Sequence, residues 1–467
     1  MDISINIKQI FAFALLYIIN AIVVTNPYGV AFVALQFLFV LYYVINSNLQ
    51  KAVFWHMIFM ITSYSPLSFS STEVDMTYNY FALKLYGPIT LSYLFSIIIL
   101  LISLKKSIIV FDRNNIFLRM RKYFYLLGGG GVLLGVIGLV FQDYFVEKFV
   151  DFTVYITILL IHVELLLRNN KGLLLRKCFE ACVPLLIASV VGNLFNYFAN
   201  IQIAYGVEDT YLSSVISQFV LLLVLAVPVV KNKVIVILTI IVSVILTLYI
   251  GSSGKFFTNL VLVGLLYFLR LLSSKQIKHR AIYSVFTIII IAAVSTTQIE
   301  FEGLTSGKYH QFKSLENVYR GDISNIDRSP YIRVASIMNI YKENIENPIY
   351  FLIGRGYGGY FQDDLNILRM VNLGNGGFKD EYVMRNKFPT AHSTYATVPL
   401  LNGFGGFVLI IILIVMYGKR CIKDNYLGGM ALLWLLNMFY FNILIGLVGV
   451  FFLFSSEYKI NYGYIKK

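Results

Sequence analysis

The feature that most restricts this chain is the recurrence, along most of its length, of apolar runs close to 20 residues long. A run of that length, wound as a helix, reaches across the roughly 30 Å of hydrocarbon in a bilayer. Such runs fall at 9–25, 28–46, 52–70, 86–104, 123–142, 149–167, 178–204, 211–230, 234–250, 256–272, 281–299 and 396–417. A further stretch at 428–454 reads as one span or as two short ones broken near Asn442. Apolar residues make up 58% of the chain and charged residues 13%, where soluble domains carry about a quarter charged. The sequence therefore predicts an all-α polytopic membrane protein of about 12 to 14 transmembrane helices. Lys8 precedes the first run as in a secretory signal, but no small-residue cleavage site follows and a second run begins at once, so 9–25 is read as the first helix.

Basic residues orient the spans. With a cytoplasmic N-terminus, the inner loops hold Lys51, then Lys105, Lys106, Arg113, Arg119, Arg121 and Lys122, then Arg168, Lys171, Arg176 and Lys177. Lys231, Lys233, Arg270, Lys275, Lys278, Arg280, Lys419, Arg420 and Lys423 continue the series. The short outer loops carry Glu73, Asp75, Asp143, Glu147, Glu208 and Asp209 against Lys84, Lys148 and Lys255. This is the positive-inside pattern. It also explains the net charge of +14 without an acidic partner, and no nucleic-acid binding is expected. The three cysteines, Cys178, Cys182 and Cys421, fall in a span or at its inner end, which excludes an outer disulfide framework. Cys178 and Cys182 are read as packing residues. No repeat period is visible, so the chain divides into helices over 1–299, one large extracytoplasmic loop over 300–395, and C-terminal spans with a short tail over 396–467.

The loop balances eleven acidic against eleven basic residues and mixes them with glycine and aromatics, which suits a small folded cap. Ser329 as N-cap, Pro330 at the first helical position and Pro348 beyond the end predict a helix between them. Val334, Ile337, Met338, Tyr341 and Ile345 form its apolar face, expected to lie against the membrane spans. Arg333 falls in the first turn, where a cation opposes the helix dipole unless an anion is close. With Arg328 and the free backbone N–H groups it makes a phosphate site, or it pairs with Asp322, Asp327 or another loop acid; spacing leaves both open.

Other features are weighed in the same way. Gly354-Arg355-Gly356-Tyr357-Gly358-Gly359 contains G-x-G-x-x-G, but no strand–turn–helix unit surrounds it, so it reads as a tight turn that brings Arg355 close to a partner rather than as a dinucleotide site. Lys255 follows Gly251, Ser252, Ser253 and Gly254 at the outer interface, where a charge either marks a functional pathway or snorkels to headgroups. His392 is the best placed of the five histidines, at the membrane surface just before a span. His310 is read as solvated, and His56 as the maker of an interhelical hydrogen bond. His162 and Glu164 have the wrong spacing to share a helical face. The Gly128 to Gly131 run is read as close helix packing. The loop has no metal-ligand spacing beyond the adjacent Asp363 and Asp364, so no metal and no other cofactor is expected.

In order along the chain, Ser253-Gly254-Lys255, Arg333, Leu352-Ile353-Gly354-Arg355-Gly356-Tyr357-Gly358, His392-Ser393-Thr394-Tyr395 and Leu401-Asn402-Gly403-Phe404-Gly405-Gly406 resemble the bacterial O-antigen polymerase and ligase superfamily over roughly residues 235 to 420. The resemblance implies a GT-C-like, metal-independent membrane glycosyltransferase of the bacterial inner membrane, working at its outer face on undecaprenyl-diphosphate-linked oligosaccharide. It implies Lys255, Arg333 and His392 as active-site residues, and membrane lipids and a chain-length regulator protein as partners. This chain has Lys255 where the family often has Arg, and Ser393 where it often has Asn.

The implied chemistry asks for cations at a leaving lipid diphosphate, each worth about 2 to 4 kcal/mol by analogy with other fixed charge stabilisers. Arg333, Arg355 and Lys255 are the candidates, with Arg328 close by. A sugar hydroxyl needs a base, for which His392 is available, with an effect on the order of 10² to 10⁴. Tyr357, Tyr360 and Tyr395 are placed to stack on sugars, or to anchor the chain at the interface. Polymerase is the favoured expectation. Transfer of polymer to lipid A core is the alternative within the family, and a lipid-linked oligosaccharide flippase is the alternative of another class.

Overall fold

The structure, a computed structural model of the chain, describes residues 5–23, 26–63, 78–81, 83–86, 89–106, 116–169, 173–198, 230–249, 328–368, 378–391, 394–423 and 449–451, with isolated positions 223, 227 and 447. The expected spans at 256–272 and 281–299 lie outside these residues, as do most of 211–230 and 428–454.

The described residues are mostly helical. Helices α1 (Ile7–Val23), α2 (Gly29–Ile45) and α3 (Leu49–Thr62) precede a short antiparallel hairpin, β1 (Lys84–Tyr86) and β2 (Ile89–Thr90). Helices α4 (Leu91–Lys106), α5 (Ile116–Phe141), α6 (Val146–Arg168), α7 (Leu173–Phe198) and α8 (Lys233–Tyr249) follow. The loop region supplies α9 (Arg328–Glu346), α10 (Pro348–Ile353) and α11 (Asp380–Met384), and α12 (Thr394–Lys423) comes after it. Windows Arg121–Phe141, Val146–Arg168 and Ala396–Leu413 are long and apolar enough to cross a membrane, and α1, α2, α4 and α8 are shorter apolar helices, which fits membrane association.

Helices appear close to the apolar runs, and the departures have local causes. The run at 86–104 opens on the hairpin, so its helix starts at Leu91. The run at 52–70 is helical only to Thr62; Ser63 is its C-cap, and residues 64–77 lie outside the description. Helix α5 begins at Ile116, ahead of the apolar run at 123–142, because Arg121 finds Glu164 of α6 at 3.1 Å, a pair that Arg168 extends at 3.2 Å. Buried polar side chains join the first helices: Asn20 donates to the Thr62 carbonyl at 3.1 Å. His56 bonds to Tyr80 Oη at 2.7 Å and to Ser96 Oγ of α4 at 2.8 Å, which is the interhelical bond expected of it. His162 instead bonds to its own helix at Ile158 O, while Glu164 turns to the arginines.

Two helices carry the architecture that positions the loop. On α5, Gly128, Gly131, Gly135 and Gly138 recur at helical spacing and line one face. A Cβ on Gly128 would lie 2.7 Å from Ile156 of α6, one on Gly131 would lie 2.5 Å from the Tyr357 ring, and one on Gly135 would fall on the Tyr357 backbone oxygen. Gly129 and Gly130 face open space. The packing role expected of the glycine run therefore belongs to Gly128 and Gly131. On α12, Gly403 is non-helical at φ 62° and ψ −166° and kinks the helix.

Candidate functional site

The loop residues gather at the end of the α5–α6 hairpin that carries Asp143 and Glu147. The opposite end of the same hairpin carries Arg121, Glu164 and Arg168. Asp143 pairs with Arg385 at 2.9 Å and Lys387 at 3.0 Å, and Glu147 pairs with Lys379 at 3.3 Å. Hydrogen bonds to Lys387, followed by the charges of Lys387 and Arg385, hold the Asp143 carboxyl below the usual carboxylate range. Tyr350 Oη adds a bond to Gln142 at 3.1 Å. The 379–388 segment thus sits on the same end as the acidic outer-type loop.

The glycine turn is driven between α5 and α12. At Gly403 the kink carries the N–H groups of 404 and 405 away from the Leu400 and Leu401 carbonyls, their i−4 partners. Arg355 N–H and Gly356 N–H bond to those two carbonyls, each at 2.9 Å, and Tyr357 N–H bonds to Gly131 O at 2.8 Å. Phe145 N–H closes the contact on Gly358 O at 3.1 Å. Such an approach of three backbones leaves no room for Cβ atoms: Gly354, at φ +74°, would place one on the Gly403 amide, and Gly356, at φ +78°, on that of Gly135. Asn402 Nδ2 reaches Leu127 O at 3.0 Å and ties α12 to α5 directly.

Helix α9 starts at Arg328, one residue earlier than the expected cap, so Ser329 and Pro330 lie within its first turn. Pro348 both stops this helix and opens α10 as its first residue, where a missing N–H costs nothing. The face expected to be buried is only partly covered: Val334 and Ile337 are half-buried, Ile337 against the core. Met338 and Tyr341 are about two-fifths exposed and Ile345 is 72% exposed, whereas Tyr331, Ile332, Ala335, Ser336, Asn339, Ile340, Glu343 and Asn344 are buried. The polar members of that set are buried because each is bonded. Asn339 donates to Asp363 at 2.9 Å and accepts from Leu365 N–H at 3.2 Å. Asn344 reaches Pro399 O at 3.4 Å, and Ser336 bonds to Ile332 O. Asp363 also accepts from Ile367 and Leu368 N–H at 3.1 and 2.9 Å, which makes it a loop brace and takes up the oxygens that a metal would need.

The candidate residues separate into three groups. Arg333 is exposed on α9 and forms no ion pair among the described residues, while Asp322 and Asp327, its expected alternative partners, lie outside them. Arg355 is engaged: its Nη2 lies 2.8 Å from Glu343 Oε2, with the two side chains 10% and 8% exposed, and its guanidinium stands 4.3 Å from the Tyr350 ring centroid. Tyr357 is fully buried, its ring against Gly131 and Phe152, where it anchors the turn and presents no face to the surface. Lys255 and His392 lie outside the described residues, and so do the side chains of Arg328 and Tyr395.

Glu343 was missed in the sequence because it reads as one more charge on a polar helix. Its Oε1 accepts from Gln362 N–H at 2.8 Å. Burial pushes its carboxyl up to about 7, against the pull of Arg355. Around the pair stand Tyr144, Tyr350 and Tyr360; burial raises the Tyr144 phenol further. The exposed stripe on α9 continues into Ile349, Leu352 and Ile353 of α10. Comparison with protein-family models, with curated proteins and with solved structures finds no match to this chain.

Proposed function

We propose that the chain is a multi-pass glycosyltransferase of the bacterial inner membrane that polymerises undecaprenyl-diphosphate-linked oligosaccharide repeat units at the outer face, with a GT-C-like arrangement of spans. A hydroxyl of the acceptor sugar attacks the anomeric carbon of the donor glycan. The new glycosidic C–O bond forms as the bond to the lipid diphosphate breaks, and the hydroxyl proton passes to a base.

The observation that carries this reading is the docking of the turn 354–358 on the kinked segment 400–403 through paired backbone bonds. These are two of the segments on which the family resemblance rests, and nothing in their separate sequences requires them to meet. The exposed Arg333, which has no ion pair among the described residues, suits a cation held ready for a diphosphate. The ion pairs between the α5–α6 connection and 379–387 agree with one common outer face. In this reading Lys255 and Arg333 stabilise the leaving diphosphate and His392 accepts the proton, with Arg328 and Tyr395 beside them.

The test is reconstitution of the purified chain in liposomes with lipid-linked oligosaccharide. Elongated lipid-linked glycan is expected, falling on the order of 10²-fold or more in Arg333→Ala and His392→Ala variants that insert normally. Scrambling of the lipid without new glycosidic bonds would mean a flippase, and transfer only to added lipid A core would mean a ligase; either overturns the proposal.

A further inference from the structure

Arg355 is held in two different ways. Its main chain is fixed by the bonds of Arg355 and Gly356 N–H to Leu400 and Leu401 O and by the glycines on either side. Among the described residues its guanidinium, with five N–H donors to place, has one acceptor, Glu343 Oε2, and its buried Nε has none. The side chain is only 10% exposed, so water supplies little of what is missing. Among the described residues an acceptor is lacking at a positive group whose backbone cannot withdraw.

Glu343 is the complementary half. The ionisable groups around it are Arg355, which favours its charge, and Asp364 and Glu346, which oppose it. Tyr350 of α10 and Tyr144 of the α5–α6 connection stand beside the guanidinium, and Tyr360 packs on Tyr144. Asp363 is committed to its own donors, and the kinked stretch 396–413 of α12 contributes no ionisable residue. Arg355 is thus the one cation that offsets the burial of this carboxylate among the described groups acting on it. The half-buried Tyr350 and the exposed Gln142 bonded to it form the rim by which the pair reaches the surface.

We propose that Arg355 and Glu343 form an exchange site for an oxyanion: a phosphate-type or carboxylate group entering beside Tyr350 takes the guanidinium, and Glu343, left buried without its counter-ion, takes up a proton from solvent. The oxyanion can belong to a diphosphate or to an acidic sugar, and binding at this site does not depend on the glycosyltransferase reading. Because bound anion goes with protonated Glu343, binding strengthens as pH falls. Above about pH 7, the value to which burial lifts this carboxyl, affinity drops by up to about tenfold per pH unit.

The experiment is calorimetric titration of the full chain in detergent micelles at pH 6, 7 and 8, in buffers of different ionisation enthalpy. Sulfate stands in for phosphate because it does not titrate in this range, and glucuronate stands in for the acidic sugar. Wild-type protein is expected to bind at least one of them with uptake of up to one proton per anion at pH 8, and to bind it more tightly at pH 6. Glu343→Gln is expected to bind with no pH dependence and more tightly than wild type at pH 8, and Arg355→Lys at least tenfold more weakly. Tighter sulfate assigns the site to phosphate groups, and tighter glucuronate to sugar acids. Absence of binding to both anions at pH 6, binding without proton uptake in the wild type, or an unchanged pH slope in Glu343→Gln overturns the proposal. The wild-type measurement stands even where a variant does not fold, and glycan elongation in liposomes remains a separate test of the enzyme reading.

Discussion

Asp363 and Glu343 are both buried acids of the loop, yet one is held by neutral donors alone and the other by a cation and one backbone N–H. Removing the first takes one of the two acceptors of Asn339 Nδ2 and leaves the Ile367 and Leu368 N–H groups without theirs, at about 1 to 3 kcal/mol for each group that water does not reach. Asp363→Ala is therefore expected to destabilise the 361–368 segment by at least about 2 kcal/mol, read as faster limited proteolysis there with the helical content unchanged. Residue-scale expectations from the sequence succeeded where chemistry forced one answer: a histidine among apolar residues must find polar partners, and His56 does. They failed where two answers were physically equal. An apolar stripe on α9 can face a protein core or a lipid-rich surface, and only the partners of Asn339, Glu343 and Asn344 outside the helix, 12 to 55 residues away in sequence, decide which face is covered.

At the scale of elements, the contact that organises the loop is the crossing of Gly354 over Gly403. Both have positive φ, where a side chain costs about 1 to 2 kcal/mol before any clash is counted. Gly354→Ala and Gly403→Ala are each expected to cost more than about 2 kcal/mol, with the double variant costing less than the sum because both break one crossing. Thermal unfolding of the detergent-solubilised single and double variants measures this. The glycine face of α5 could have been found from the spacing of Gly128, Gly131, Gly135 and Gly138 rather than from the four-glycine run, since a face is a periodic property. Its occupant could not, because nothing in residues 128–138 points to Tyr357.

At the scale of the whole molecule, two of the loop's fastenings among the described residues differ in character. The turn at 354–358 is gripped by backbone bonds and buried rings, whereas 379–387 is held by exposed charges on Asp143 and Glu147. Salt screens the second and not the first. Raising ionic strength from about 0.05 to 1 M is expected to speed amide exchange over 379–388 and leave 354–358 unchanged. The Asp143 contribution acts in the same direction in acid: with a depressed carboxyl it is present above the ordinary carboxylate range and lost as pH falls through the lowered value. Among the described residues the long apolar helices could be placed from sequence because an apolar run of about 20 consecutive residues is a local property. The docking could not, because it joins three distant stretches. That same geometry sets an order of assembly. The ribosome delivers α5 first, then the glycine turn, and α12 last, yet the turn needs carbonyls from both helices. The finished loop must therefore wait, unseated, until the helix that follows it has been inserted, and a chain halted before residue 400 has no seat for it.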